Sequence, residues 1–304
     1  MAAKFSFQLI LVMFVLTGLN AQQMPMYNQY IFNAYTINPA EAGTRTYGTV
    51  SLLQRWQWLG VPGAPSTTSV GMESHLGSAW GMGFNLTDDK MSVNRIQTMN
   101  LTVGYHLKVS DELRVATGMC LVGVNFRNDL NRLQNMYDPD DPDLQSVSSF
   151  SPNVGIGMLA YSRKFFLGIS MPRMVQYKAG RTQYAIEQVR HFFAYAGRSF
   201  DISERMQFRP SILMKTVSGV PAQLDYNAVI SFYRMVDFGM NYRSGDSAGL
   251  LAGLTLKERI TFNYVYELPL NLFAKSTNQT HEFGVRYRFG KMHYQSIQSP
   301  RFFN

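Results

Sequence analysis

The chain has 304 residues, of which 13% are aromatic and only 16% are charged, and its 28 basic and 20 acidic side chains give a formal charge of +8. The basic residues are scattered and form no block, which argues against nucleic acid as a partner. The single cysteine, Cys120, excludes an intramolecular disulfide framework, metal sites built from paired cysteines, and redox pairs. Beyond the N-terminus no stretch approaches the roughly 20 consecutive apolar residues of a membrane-spanning helix, so a helical membrane bundle is excluded.

Residues 1–21 have the three-part pattern of a secretory signal peptide. Lys4 supplies an early positive charge, an apolar core runs from Phe7 to Leu19, and the small residue Ala21 ends the segment. The core is too short to span a bilayer as a retained helix, and no cysteine follows Ala21 to receive a lipid. We expect an exported and cleaved protein, with a retained amphiphilic anchor as the alternative.

Residues 22–44 form an aromatic segment ahead of the first strand-like run, and we call it the opening segment. Its aromatic side chains are Tyr27, Tyr30, Phe32 and Tyr35, and Asn33 lies among them. Asn38-Pro39 favours a turn that leads into the first strand. Because such a patch would promote association if it were exposed to water, two interpretations stay open: a plug inside a barrel, or a docking surface for a periplasmic partner.

Residues 45–290 alternate between apolar and polar side chains, which is typical of strands with one apolar face. In the first run Val50, Leu52 and Trp56 share one face, with Gly48 and Trp58 in the same phase. We count about fourteen such runs of roughly ten residues, near the length that a tilted strand needs to cross a bilayer. Their approximate centres are Leu53, Val70, Gly83, Leu101, Met119, Ile156, Gly168, Phe193, Ile212, Ala228, Phe238, Ala252, Tyr264 and Val285.

The connections distinguish a membrane barrel from a soluble β-sandwich, which would give a similar number of strands. Counted from a periplasmic N-terminus, one set is short and polar, as at 110–112, 162–164 and 257–259. The alternate set includes the long stretches 127–150 and 173–188, and segments near Pro62, Pro221, Gly245 and Asn278. Short turns on one side and longer loops on the other predict an all-β fold, a transmembrane antiparallel β-barrel with both ends in the periplasm.

The phase of the alternation also assigns side chains to the barrel interior. Inward-facing arginines avoid the cost of a charge near the midplane of the lipid, about 2–4 kcal/mol. The arginines predicted to face inward are Arg45, Arg55, Arg114, Arg190, Arg198, Arg209, Arg243, Arg286 and Arg288. The glycines predicted to leave space on the inner wall are Gly81, Gly83, Gly155, Gly157 and Gly284. Aromatic girdles at the lipid boundary are predicted to include Trp56, Trp58, Trp80, Tyr287 and Phe289.

Two motifs near the start of the predicted mature chain resemble those of the PorP/SprF family, the type IX secretion system outer-membrane proteins of the Bacteroidetes. The first is NQYIFNAYTINPAEAG at 28–43, and the second is QRWQWLGVPGAPSTTSVG at 54–71. The matching residues are Gln29, Tyr30, Phe32, Asn33, Ile37, Asn38, Pro39, Ala40, Ala42 and Gly43, then Arg55, Trp58, Gly60, Gly63, Ala64, Pro65 and Thr67. The chain departs from the family pattern by placing Trp56 before Gln57.

The resemblance implies a non-enzymatic component of the type IX secretion and gliding machinery, located in the outer membrane and in contact with its lipid. It would link secreted surface proteins to the periplasmic ring and lipoproteins of that machinery. A passive diffusion porin is the alternative that the barrel pattern alone favours. An open lumen is more typical of barrels with sixteen or more strands, and the opening segment favours a blocked one.

Catalytic and cofactor-binding residues are not expected, because none of the five histidines lies in a recognisable metal or nucleophile motif. A hydrolase whose Ser-His pair is assembled only in space is the alternative. Asp138, Asp140, Asp141 and Asp143 crowd four carboxylates into the longest loop, where they are either a calcium site or a solvated acidic loop.

Residues 291–304 continue beyond the predicted final strand as a basic tail, which we expect in the periplasm. Arg301, Phe302 and Phe303 near its end offer a guanidinium and two aromatic rings to a partner's pocket. A frayed terminus is the alternative interpretation of the same residues.

Overall fold

The structure is a computed structural model that describes residues 28–31, 33–77, 79–129, 146–179, 186–271 and 277–290. In these ranges three short 3-10 turns, Asn28–Ile31, Ala34–Thr36 and Pro39–Glu41, precede the strands. The strands are β1 (Gly48–Trp56), β2 (Ser66–Leu76), β3 (Trp80–Met91), β4 (Asn94–Lys108), β5 (Arg114–Asn128), β6 (Val147–Tyr161), β7 (Phe165–Met171), β8 (Tyr177–Ala179), β9 (Ile186–Gln188), β10 (His191–Arg198), β11 (Phe200–Ser203), β12 (Met206–Val217), β13 (Val220–Phe232), β14 (Val236–Arg243), β15 (Ser247–Leu256), β16 (Ile260–Pro269) and β17 (Thr280–Phe289).

The strands close into an antiparallel barrel. Each wall strand pairs with its neighbours in chain order, and β1 pairs with β17 from Gly48↔Phe289 to Trp56↔His281. β11 continues β10 in the same register against β12, so the two form one wall strand, while β8 and β9 form a separate hairpin. The wall therefore has fourteen strands, and the predicted barrel is confirmed.

Alternation gives most wall strands an apolar outer face and an inner face rich in polar side chains, although the inner faces of β5 and β10 also carry apolar residues such as Val122, Val124 and Phe193. On β4, Leu101, Val103 and Leu107 are exposed, whereas Thr102 and His106 are buried toward the interior. Trp56, Trp80 and Tyr287 are exposed on the outer face, as expected for interfacial girdles. Trp58 is the exception: it lies beyond the end of β1, at a positive φ of 52°, and does not follow the alternation.

The two ends of the barrel differ in their connections. At what we call the turn end, the connections include 109–113, 162–164, 204–205, 233–235 and 257–259. At the opposite loop end, longer connections include 57–65, 172–190 and 270–279. This end also has three short turns, at 92–93, 218–219 and 244–246, so Pro221 belongs to β13, Gly245 lies in a three-residue turn, and neither belongs to a long loop.

Most of the arginines predicted to face inward are buried. They are Arg45, Arg55, Arg209, Arg243, Arg286 and Arg288, and Arg114 is half-buried. The prediction was wrong for Arg190 and Arg198, which are exposed. The inward residues of β10 are His191, Phe193 and Tyr195, so Arg198 has the opposite phase, and its guanidinium lies 5.0 Å from the centre of the Phe200 ring. Arg190 precedes β10, and Arg198 lies level with Phe165 at the start of β7, so both outward charges are near an end of the neighbouring strands.

Candidate functional site

The described part of the opening segment lies inside the barrel and runs along its length. Tyr30 contacts residues near the loop end of β13, Tyr35 contacts the middle of β3, and Ala42 contacts His106 near the turn end of β4. The chain then enters β1 at the turn end. Tyr30, Ile31 and Tyr35 are almost completely buried, at 2%, 1% and 3% exposure. The described residues of the segment therefore lie buried in the barrel interior, which we call the lumen.

The loop-end part of the segment is held by Tyr30. Its hydroxyl donates to Asp225 Oδ2 at 3.2 Å and accepts from Asn227 Nδ2 at 2.9 Å. Asp225 also accepts from Arg243 Nε at 3.1 Å. Because these partners are themselves buried and paired, Tyr30 is tied into the polar network of the wall.

Asn33 and Tyr35 attach the middle of the segment to the first wall strands. Asn33 Nδ2 donates to Ser51 Oγ at 2.9 Å, and the Tyr35 hydroxyl donates to the carbonyl of Phe84 at 3.2 Å. The Tyr35 ring lies against Gly83, where a β-carbon would be 3.1 Å from Cδ2. A side chain at position 83 would therefore require the Tyr35 ring to shift by a few tenths of an ångström.

Asn38 is the most extensively bonded side chain of the segment. Its Nδ2 donates to the carbonyl of Met158 and to the hydroxyl of Tyr195, each at 3.0 Å, and its Oδ1 accepts from the backbone nitrogen of Ala40 at 2.9 Å. The last bond caps the 3-10 turn that Pro39 begins. Asn38 therefore fixes the local turn and joins it to β6 and β10.

Glu41 and Ala42 complete the contacts at the turn end. The Tyr195 hydroxyl donates to Glu41 Oε1 at 2.8 Å, and His106 Nε2 lies 2.7 Å from the carbonyl oxygen of Ala42. His106 Nδ1 is 3.1 Å from the hydroxyl of Tyr161. His106 thus bridges the segment and β6, which is a structural role for a lumen-facing histidine.

A glycine-lined surface on the inner wall receives the segment. At each of these positions a β-carbon would collide with, or closely approach, a backbone or side-chain atom of residues 35–43. The glycines are Gly71, Gly81, Gly83, Gly104, Gly118 and Gly157. Three of them were among the predicted inner-wall glycines; of the other two, Gly155 lies against Pro172, and Gly284 has ordinary distances to its neighbours.

Beside the segment, buried ion pairs connect the wall strands on the face that points into the lumen. Arg55 pairs with Glu282 at 2.7 Å and Glu267 at 3.4 Å, and Arg243 pairs with Asp225 at 3.1 Å. Arg209 pairs with Asp237 at 2.6 Å. The sequence predicted that these arginines face the interior. It did not predict which carboxylates they pair with, since the paired residues lie up to 227 positions apart in the chain.

A second segment enters the lumen near the loop end. β7 stops at Met171, and residues 172–175 then bond to β6, with Met174 N donating to the carbonyl of Val154 at 2.9 Å. Asn153 Nδ2 donates to the carbonyl of Val175 at 2.7 Å, and Arg173 donates to Thr98 Oγ1 at 3.2 Å. Pro152 has no backbone N–H to donate at the edge of β6 that β7 does not reach. A proline inside a strand is typical of an edge without a strand partner, so Pro152 is the sequence signal for the early end of β7.

Several predicted site residues lie outside the described ranges. They are Tyr27, Phe32, Arg301, Phe302 and Phe303, and the candidate calcium ligands Asp138, Asp140, Asp141 and Asp143. The signal peptide and the C-terminal tail lie outside as well. Within the described ranges, no three His, Cys, Asp or Glu side chains are grouped so that they would hold a metal ion. None of the helices in those ranges is long and apolar enough to cross a membrane.

Comparison with solved structures shows similarity to outer-membrane β-barrels. The CymD monoaromatic hydrocarbon channel matches with a TM-score of 0.53 at 11% identity, covering 89% of this chain and 94% of that one. A FadL homologue of Pseudomonas aeruginosa matches with a TM-score of 0.50 at 12% identity, covering 88% and 94%. The Pseudomonas putida toluene transporter TodX matches with a TM-score of 0.50 at 9% identity, covering 86% and 93%. At these identities the likeness concerns the fold alone.

Sequence comparison identifies the family. A search of curated proteins found no match. The family model described as "Type IX secretion system membrane protein PorP/SprF" matches residues 19–287, which is most of the chain. The chain therefore belongs to the PorP/SprF family of type IX secretion system membrane proteins, and it is a β-barrel of the outer membrane.

Proposed function

We propose that the protein is a non-enzymatic component of the type IX secretion and gliding machinery whose lumen is closed by the opening segment. In this role the barrel links the secretion or anchoring of surface proteins to the periplasmic ring and lipoproteins of the machinery. Membership of the PorP/SprF family supports the assignment to secretion. The buried path of the described residues 30–31 and 33–43 supports a barrel that serves as a scaffold.

The main support for a closed lumen is the set of hydrogen bonds between Asn38 and the wall strands. One side chain joins the carbonyl of Met158, the hydroxyl of Tyr195 and the segment's own backbone. Removing such a buried amide leaves its partners without hydrogen bonds, at about 1–3 kcal/mol. The segment is therefore anchored at several levels of the lumen, and the passive diffusion porin is the less favoured function.

Single-channel recording in planar bilayers tests the closed lumen. We expect little steady conductance from the full-length barrel and a clear increase when residues 28–43 are deleted. Because the deletion removes part of the folded interior, the Tyr35→Ala/Asn38→Ala variant, which keeps the chain length, provides a second comparison. Gly284→Ala is the matched control, since a β-carbon there meets its nearest neighbour at 3.6 Å. Large steady conductance from the full-length protein would establish the porin alternative.

Recovery of partners tests the link to the machinery. After cross-linking in whole cells, the full-length barrel should retain periplasmic ring proteins, lipoproteins and secreted surface proteins of the type IX system. A different outer-membrane barrel of the same cells, carrying the same tag, is the control. Equal recovery of these proteins by both barrels would refute the proposed link.

A further inference from the structure

Three basic side chains lie side by side on the outer surface of the barrel. Lys90 on β3 pairs in register with Arg95 on β4, which pairs in turn with Arg127 on β5. All three have the phase of the outward-facing residues and are exposed. We call Lys90, Arg95 and Arg127 the basic row.

Like charges directly opposite each other on neighbouring strands are destabilising, so the basic row needs compensation. Asp88 supplies part of it: Arg95 Nε lies 2.6 Å and Lys90 Nζ 3.5 Å from its carboxylate oxygens. Arg127 has no ion pair among the described residues, although Asp129 follows it two positions later in the chain and accepts from Ser146. The side chains of Lys90 and Arg95 are 58% and 45% exposed, so the row remains accessible to an external anion.

The position of the row relative to the lipid-facing band identifies the kind of anion. Toward the turn end, the first aligned set below the row is polar: Asp88, Gln97 and Asn125. The next sets are apolar, with Leu86 beside Met99 and then Phe84 beside Leu101 and Leu121.

Phe150, level with Asn125, is 64% exposed, and a β-carbon on Gly123 would be 3.1 Å from its ring. An exposed aromatic ring at this level is typical of the boundary between headgroups and hydrocarbon.

We propose that the basic row binds the phosphate groups of a phosphorylated glycolipid in the outer leaflet of the membrane. Guanidinium and ammonium groups form charge-assisted hydrogen bonds with phosphate oxygens, and arginine does so through two parallel donors. The acyl chains of the same molecule cover Met99, Leu101 and Leu121 below the row. A lipid of this kind contacts both the basic row and the apolar side chains below it, whereas free phosphate contacts only the basic row. The loop end faces the cell exterior in this proposal, as the connection lengths predict.

Lipid binding to the purified full-length barrel tests the proposal. After delipidation in detergent, we compare binding of bisphosphorylated lipid A, its dephosphorylated form, phosphatidylglycerol and inorganic phosphate by native mass spectrometry. The wild type should prefer bisphosphorylated lipid A. The Lys90→Gln/Arg95→Gln/Arg127→Gln variant should bind it about tenfold to a hundredfold more weakly, since a basic residue near an anionic surface contributes about 1 kcal/mol.

A matched control removes exposed basic residues from the other end of the barrel. Arg234→Gln/Lys257→Gln/Arg259→Gln lies in turn-end connections and should bind lipid A like the wild type. Heat-modifiable gel mobility verifies that both variants are folded. Unchanged binding by the basic-row variant would overturn the proposal. Equal binding of the dephosphorylated lipid or of phosphatidylglycerol, or displacement of lipid A by equimolar inorganic phosphate, would also overturn it.

Discussion

Gly157 on β6 lies directly against Asn38 of the opening segment, and the two residues leave no room for a β-carbon between them. Such an atom would overlap Asn38 Oδ1 and lie 3.0 Å from Cδ of Pro39. The opening segment can therefore pack against β6 at this position only because Gly157 has no side chain.

Gly157→Ala should weaken the packing of the opening segment against β6 without altering the outer surface of the barrel. Forcing a methyl group into a packed interface typically costs about 1–3 kcal/mol. We expect a lower urea midpoint for the barrel in lipid vesicles and faster proteolysis of the opening segment. Gly284→Ala, on the same inner wall, has its nearest neighbour at 3.6 Å and should behave like the wild type. Identical midpoints for the two variants would contradict the close packing at Gly157.

Asn38→Ala should destabilise the barrel by about 1–3 kcal/mol, because it leaves buried hydrogen-bonding groups without their partner. Asn38→Asp keeps the acceptor for the Ala40 nitrogen but loses the donor to Met158 and Tyr195. It also places a carboxylate beside a carbonyl oxygen, so we expect it to be no more stable than Asn38→Ala. Denaturant titration gives both values. Asn125→Ala, which removes a partly exposed amide bonded to Gln97 at 3.3 Å, is the control and should have little effect.

Arg243→Met should cost about 3–5 kcal/mol, since removal of one member of a buried ion pair leaves an uncompensated charge. Arg243 pairs with Asp225 and lies 3.8 Å from Glu267. Adding Asp225→Asn to Arg243→Met should recover part of the loss. A double-mutant cycle measured by urea unfolding verifies this, and a loss that the second substitution leaves unchanged would speak against the pair.

The predicted orientation of the barrel, with the loop end outside the cell, determines which introduced cysteines should react on intact cells. An impermeant thiol reagent should label Asp141→Cys in the long loop and should not label Ser203→Cys at the turn end. The native Cys120 is buried, so the background should be low. Labelling of Ser203→Cys alone would reverse the orientation, and with it the placement of the basic row.

Deletion of residues 299–304 should leave assembly intact, because the final strand ends at Phe289. Heat-modifiable gel mobility should therefore match that of the wild type. Secretion or gliding, and recovery of periplasmic partners, should fall if Arg301, Phe302 and Phe303 dock a partner. A truncated protein with its full set of partners would show that these residues have no docking function.

Much of the wall was predictable from the sequence, because alternation is a local signal. Every predicted strand centre, from Leu53 to Val285, lies within one of the wall strands. The exceptions include Trp58, which lies beyond the end of β1, and Arg190 and Arg198, whose phase is opposite to that of the inward residues of β10. The β8–β9 hairpin was missed because each of its strands has three residues, too few for a periodic pattern.

The interior was predictable only as a set of residue types. The sequence indicated arginines and glycines on the inner face and aromatic residues in the opening segment. It did not indicate that Asn38 joins Tyr195, or that Tyr30 meets Asp225, because these contacts depend on the curvature of the closed wall. The direction of the segment, from the loop end toward the turn end, likewise follows only from the three-dimensional arrangement.

The bond between Tyr30 and Asp225 joins residues 195 positions apart, and this has a consequence for biogenesis. The opening segment is translated before every wall strand, yet its partners include strands from both halves of the chain. Contacts of such high sequence separation form slowly, because the intervening chain must be ordered first. The bonds of Tyr30 to Asp225 and Asn227 therefore require β13, a late strand of the chain, to be in place. The completion of these bonds is thus a late event in assembly, although the opening segment precedes every wall strand in the chain.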